Sequence, residues 1–224
     1  GTASLYAFLA KAYAVFEHYR LGTLDRSATL TFLTGAIPGN VFTAYFINSY
    51  IRSAQASDTS RIEAFQNNLG LVISLSMLLS AIILTLHLIR KTSIPEIGSA
   101  PQGSTQETSR TLLCVLFGLF VGSLVGATSV GGGILVLPVL IIAFGLSAVK
   151  AVGTSILIAF ILSLQTSVIF IWGGQFELST ATVMWVGSLA GVFAGSRLSA
   201  RLPERPLQVI VICMIVVASI LMLV

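Results

Sequence analysis

Five stretches of the chain, residues 69–88, 111–128, 151–172, 178–196 and 206–224, run for about 18 to 22 residues without a single Asp, Glu, Lys or Arg. At 1.5 Å rise per residue, a helix made of any one of them crosses a hydrocarbon core of about 30 Å. One such run fits the core of a soluble domain, but five in 224 residues do not. With 55% hydrophobic and 9% charged residues, the natural solvent of this chain is lipid. Two further stretches read as spans despite polar interruptions: 2–16, which contains Lys11, and 27–51, which contains Pro38 and Asn40. The expected fold is an all-α polytopic transmembrane bundle of about seven spans in the cell membrane.

The formal net charge of +4 does not point to nucleic acid, because the Lys and Arg residues are scattered and form no basic stripe with interleaved aromatics. They read as topology signals. Nine lie in the 17–26, 90–110, 146–150 and 197–206 segments, against Arg52 and Arg61 in the segments of the opposite side, which assigns the first set to the cytoplasm. Cys114 and Cys213 both fall inside expected spans and read as small packing residues. The chain opens at Gly1 directly into an apolar segment, so a leading portion is expected to be missing.

A shift of 152 positions superimposes Gly1 and Thr2 on Gly153 and Thr154, Gly22 on Gly174, Asp25 on Glu177, and Gly35 and Gly39 on Gly187 and Gly191. Leu5, Ala7, Phe8 and Ser27 also find identical partners, giving about nine identities in 46 positions. The match resumes after an insertion at 53–67, read as a polar loop, and pairs Met77 with Met214 and Ala81 with Ala218. This predicts a first repeat at 1–89 without its leading glycine-rich segment, a polar linker at 90–110 and a second repeat at 111–224. The loop alternation makes the halves inverted in topology, an architecture frequent in secondary transporters.

The string SVGGGILVLP, from Ser129 to Pro138, contains three consecutive glycines at which helix propensity collapses. Irregular backbone within a membrane is tolerated only where protein or a water-filled cavity surrounds it. A broken or re-entrant helix is therefore expected, with Ser129, Gly131, Gly132 and Gly133 at the positive end of a half-helix suited to an anion. Thr154 and Ser155 early in the next span, and Thr2 and Ser4 from the other half, are expected to add hydroxyls to that site near the midplane. Lys11 is the one ionisable residue well inside an expected span, which makes it a candidate counter-charge for an anion; snorkelling to an interface is the competing reading. Glu17, His18 and Arg20 read as a wetted helix end. Gly118, Gly122 and Gly126, Gly187, Gly191 and Gly195, and Gly35 and Gly39 recur at four-residue spacing and read as helix-packing positions.

Several of these pieces resemble one family. The Gly118 to Pro138 pattern, AVGTS at Ala151 to Ser155, the Gly174 turn with Glu177, and the Gly187 to Arg201 stretch ending in RLP are similar to the TauE/SafE family of membrane permeases. In the first half, GTAS at Gly1 and HYRLGTLD at His18 to Asp25 resemble that family's other repeat. The resemblance implies a permease for sulfite, sulfonates or other organosulfur anions in a prokaryotic cytoplasmic membrane.

The expected function is a secondary transporter of a small anion working by alternating access, possessing no cofactor or metal, with a proton or sodium as a possible coupling ion. An anion channel and a membrane scaffold protein are the alternatives. An enzyme is disfavoured, since no HExxH motif, GxSxG elbow or pair of intramembrane carboxylates occurs in the spans.

Overall fold

The computed structural model describes residues 2–54, 59–93, 104–128, 133–174 and 177–223. Among them lie eight helices and no strand: α1 (Thr2–Arg20), α2 (Arg26–Ala54), α3 (Thr59–Ser93), α4 (Ser104–Thr128), α5 (Gly133–Ile142), α6 (Ala148–Trp172), α7 (Leu178–Arg201) and α8 (Glu204–Leu223). Each apolar run of the sequence became a helix. Helices α2, α6 and α7 are long and apolar enough to cross a membrane unaided, while α3, α4 and α8 carry shorter apolar stretches within them. The polar segment at 53–67 is not a plain loop: α2 runs on to Ala54 and α3 begins at Thr59. Its polar residues include good helix formers, and no Gly or Pro falls between 59 and 69.

The surface is inverted relative to a soluble protein. Phe42, Trp172 and Leu221 are exposed, while Ser4, Asn40, Thr154, Ser163, Thr166 and Ser167 are buried. Exposed apolar side chains along several helices would cost heavily in water and nothing in lipid, so the protein is a multi-pass membrane protein. The interior is held by polar bonds as well as by packing. The Thr166 hydroxyl donates to Asn40 Oδ1 at 3.0 Å, and Asn48 Nδ2 donates to the Ile169 carbonyl at 3.3 Å, joining α2 to α6.

Glycine contacts set the relation of α2 to α4. A side-chain carbon at Gly35 would strike the Val115 carbonyl, one at Gly39 the Leu119 carbonyl, one at Gly122 the Ala36 carbonyl and one at Gly126 the Asn40 carbonyl. Contact positions rise together on both helices, so α2 and α4 run parallel with their backbones touching. Gly187, Gly191 and Gly195 differ from this: all three are exposed and nothing lies within 4 Å of the space a side chain would take. The packing expected for them is not found among the described residues, since no described helix covers that face of α7.

Helices α1 and α6 cross antiparallel at the centre. Phe8 stacks on Phe160, and Lys11 Nζ donates to Ser163 Oγ at 3.2 Å; both pairs are 152 positions apart. At one end the Asp25 N–H donates to Thr154 Oγ1 at 3.0 Å, and at the other the Glu177 N–H donates to Thr2 Oγ1 at 3.0 Å. A shift of 152 turns each of these bonds into the other. The turns that close the helices obey the same shift. Leu21 N–H to Glu17 O and Gly22 N–H to Tyr19 O in the first correspond to Gly173 N–H to Ile169 O and Gly174 N–H to Ile171 O in the second. Gly22 and Gly174 both take positive φ, +66° and +72°, which only glycine adopts without strain. Reciprocal contacts between equivalent residues are the signature of a two-fold axis, and here it passes between α1 and α6.

Candidate functional site

The hydroxyls expected to converge do not converge. Thr154 is fully buried and accepts the Asp25 N–H where α2 begins, whereas Thr2 accepts the Glu177 N–H where α7 begins. Because α1 and α6 run antiparallel, these two equivalents sit at opposite ends of the pair. Ser4 is buried near the Thr2 end and is likewise remote from Thr154. Equivalence by a two-fold axis brings together only the residues near the axis, and Thr2 and Thr154 are far from it.

Ser129, Gly131 and Gly132 lie outside the described residues. Gly133 opens α5, a helix of 10 residues and therefore about 15 Å long, half the thickness of a hydrocarbon core. Its position faces α6, where a side-chain carbon would sit 3.8 Å from Ser155 Oγ and from the Ala159 methyl. The first turn of a helix leaves N–H groups without intrahelical partners, and here that turn lies against a serine. The Ser155 hydroxyl itself donates to the Val152 carbonyl at 2.8 Å, keeping its oxygen lone pairs available as acceptors.

Along α6 the small residues Ser155, Ala159 and Ser163 follow at four-residue spacing, so they share one strip of the helix. Two turns, about 12 Å, separate Ser155 from Ser163. Ser163 Oγ donates to the Ala159 carbonyl at 2.6 Å and accepts from Lys11. The ammonium is part-buried at the middle of α1. No carboxylate among the described residues pairs with it.

The end of α1 is drier than the sequence implies. Glu17 is 6% exposed and His18 is fully buried, correcting the reading of a wetted helix end. The Glu17 carboxylate accepts from the Tyr13 hydroxyl at 3.3 Å and faces Arg197 of α7 at 3.9 Å. Thr23 donates its hydroxyl proton to the His18 carbonyl, so at 2.8 Å it must accept from His18 Nδ1. That assigns the proton to Nδ1 and leaves Nε2 buried without a partner among the described residues. Burial lowers the pKa of the imidazole, with Glu17 opposing.

An open groove of about 490 Å³ beside the end of α1 reaches the 22–26 turn and Leu157. Apart from Arg26 and Tyr19 its lining is apolar, which gives a small hydrophilic anion little to bind. The Asn40–Thr166 link and the Lys11–Ser163 contact were not anticipated as bonds, although the 152-position shift already pairs Lys11 with Ser163.

Compared with known proteins, residues 1–222 match the family model described as sulfite exporter TauE/SafE. Over 219 residues the chain is 29% identical to the Bacillus subtilis (strain 168) protein described as "Probable membrane transporter protein YjnA", covering 98% of this chain and 82% of that one. No solved structure matches the chain.

Proposed function

The chain belongs to the sulfite exporter TauE/SafE family of membrane transporters, and from that premise we propose that it is a secondary carrier for a small organosulfur or sulfur oxyanion. The half-length α5 and the strip Ser155–Ala159–Ser163 form the binding region. Rocking of one half against the other opens the region to each side in turn.

The observation that carries this reading is the reciprocal pair of bonds, Thr154 with Asp25 and Thr2 with Glu177, one at each end of the antiparallel α1 and α6. A two-fold arrangement of this kind gives the two ends of the α1–α6 pair the same hydrogen bond to the start of the next helix. Inward- and outward-open states are then close in energy, as alternating access requires. A channel needs no such equivalence.

The test is uptake of labelled sulfite, an alkanesulfonate and sulfate into proteoliposomes. Saturable uptake of one anion, competed by its relatives and lost in a correctly inserted Gly132→Leu protein, supports the reading. Absence of flux for all three in folded protein refutes it.

A further inference from the structure

We propose that Lys11 is the single fixed counter-charge of the anion region and that it selects singly charged anions over doubly charged ones; this rests on the carrier reading above. The argument begins with position. Lys11 meets Ser163, its own equivalent under the 152-position shift, so the ammonium lies beside the local two-fold axis. A group on that axis keeps the same relation to both halves, and one cation therefore serves the inward- and the outward-facing states.

Charge balance follows. An ammonium has three N–H donors; here a hydroxyl takes one, and no carboxylate among the described residues neutralises the charge. A cation at that depth is held by something that compensates it. Besides the tyrosines Tyr6, Tyr13 and Tyr19, the other ionisable groups of α1 are Glu17, His18 and Arg20 at its last turn, where Arg197 of α7 faces Glu17. Asp25, Arg26 and Glu177 flank the starts of α2 and α7. Among the described residues, the depth of the α1–α6 crossing thus holds one positive charge. A monoanion beside it makes the site neutral, whereas a dianion leaves a full negative charge away from water. A sulfonate or hydrogensulfite fits this balance and sulfate does not. Sulfite then moves in its singly protonated form.

The test uses proteoliposomes of the intact chain, with labelled methanesulfonate as a permanent monoanion, sulfate as a dianion at neutral pH, and sulfite at two pH values. Saturable methanesulfonate uptake is expected with a specificity ratio over sulfate of at least about tenfold, and sulfite uptake is expected to fall as pH rises. Lys11→Gln lowers methanesulfonate uptake by at least about tenfold, and Lys11→Arg retains most of it. The decisive variant moves the charge to the equivalent position: Lys11→Ser combined with Ser163→Lys recovers uptake to within about threefold of the parent, as the axis requires. The proposal is overturned if folded Lys11→Gln protein transports at the parent rate, if the exchanged double variant is as inactive as Lys11→Gln, or if sulfate is carried as well as methanesulfonate. A parent protein that moves none of the three anions instead removes the carrier reading beneath it.

Discussion

Phe8 of α1 stacks on Phe160 of α6 with ring centroids 5.0 Å apart and planes 22° from parallel, and the two residues occupy the same place in a sequence shifted by 152. Two equivalent aromatics in contact mark the point where the local axis crosses the helix pair.

The first prediction concerns that pair. Phe8→Ala and Phe160→Ala each destabilise the protein in detergent, and a double-mutant cycle gives a coupling of about 0.5–1.5 kcal/mol, the range for stacked aromatics. Reversible unfolding in mixed micelles measures it. Additive effects would mean the rings are neighbours without a mutual interaction.

Glycine substitutions are expected to have opposite signs on the two glycine-rich faces. Gly122→Ala drives a methyl into the Ala36 backbone and destabilises the α2–α4 contact by about 1–3 kcal/mol. Gly191→Ala meets nothing within 4 Å among the described residues and stabilises α7 by about 0.5–1 kcal/mol through helix propensity alone. Melting temperatures of the two variants at equal detergent concentration give the comparison.

Thr154→Val removes the acceptor of the Asp25 N–H in a fully buried place and costs about 1–3 kcal/mol. Thr2→Val removes the equivalent bond to Glu177, whose surroundings are exposed, and costs less because water replaces the lost partner. Hydrogen exchange at Asp25 should accelerate more than at Glu177.

His18 lies beyond the apolar stretch of α1 and supplies a pH dependence. Burial holds its pKa below the ordinary value, against an opposing effect of Glu17, so the folded state favours the neutral ring. Its contribution to stability is fully present above the unfolded pKa of about 6.5 and is lost as pH falls through the lower folded value. The melting temperature therefore drops on acidification below about pH 6.5, and His18→Phe, which places there the residue found at the equivalent Phe170, flattens that component. A parent protein with the same acid slope as His18→Phe contradicts the assignment.

Much of the helix layout was legible in the sequence because uncharged runs of membrane length have few folds open to them. The 152-position shift makes Lys11 and Ser163 equivalents, but only the structure shows that they lie close enough to the axis to meet. What sequence could not supply was the distance of each residue from that axis. Thr2 and Thr154 look like partners because they are identical, yet antiparallel helices carry such equivalents to opposite ends. The end of α1 was misread for a related reason: Glu17 and His18 are polar, but Tyr13, Thr23 and Arg197 supply the partners that let them be buried. Asn40 stood in the sequence only as an interruption of an apolar run, and its value as a bond to Thr166 depends on the α2–α6 packing.

Exchange is the property that separates a carrier from a channel built on the same helices. The most direct measurement is counterflow: proteoliposomes loaded with unlabelled methanesulfonate are diluted into a trace of the labelled anion. A carrier that alternates about the α1–α6 axis is predicted to give a transient accumulation of label above its external concentration, together with saturable uptake accelerated by anion on the far side. Label that merely equilibrates, at a rate proportional to concentration and indifferent to internal anion, would contradict the account.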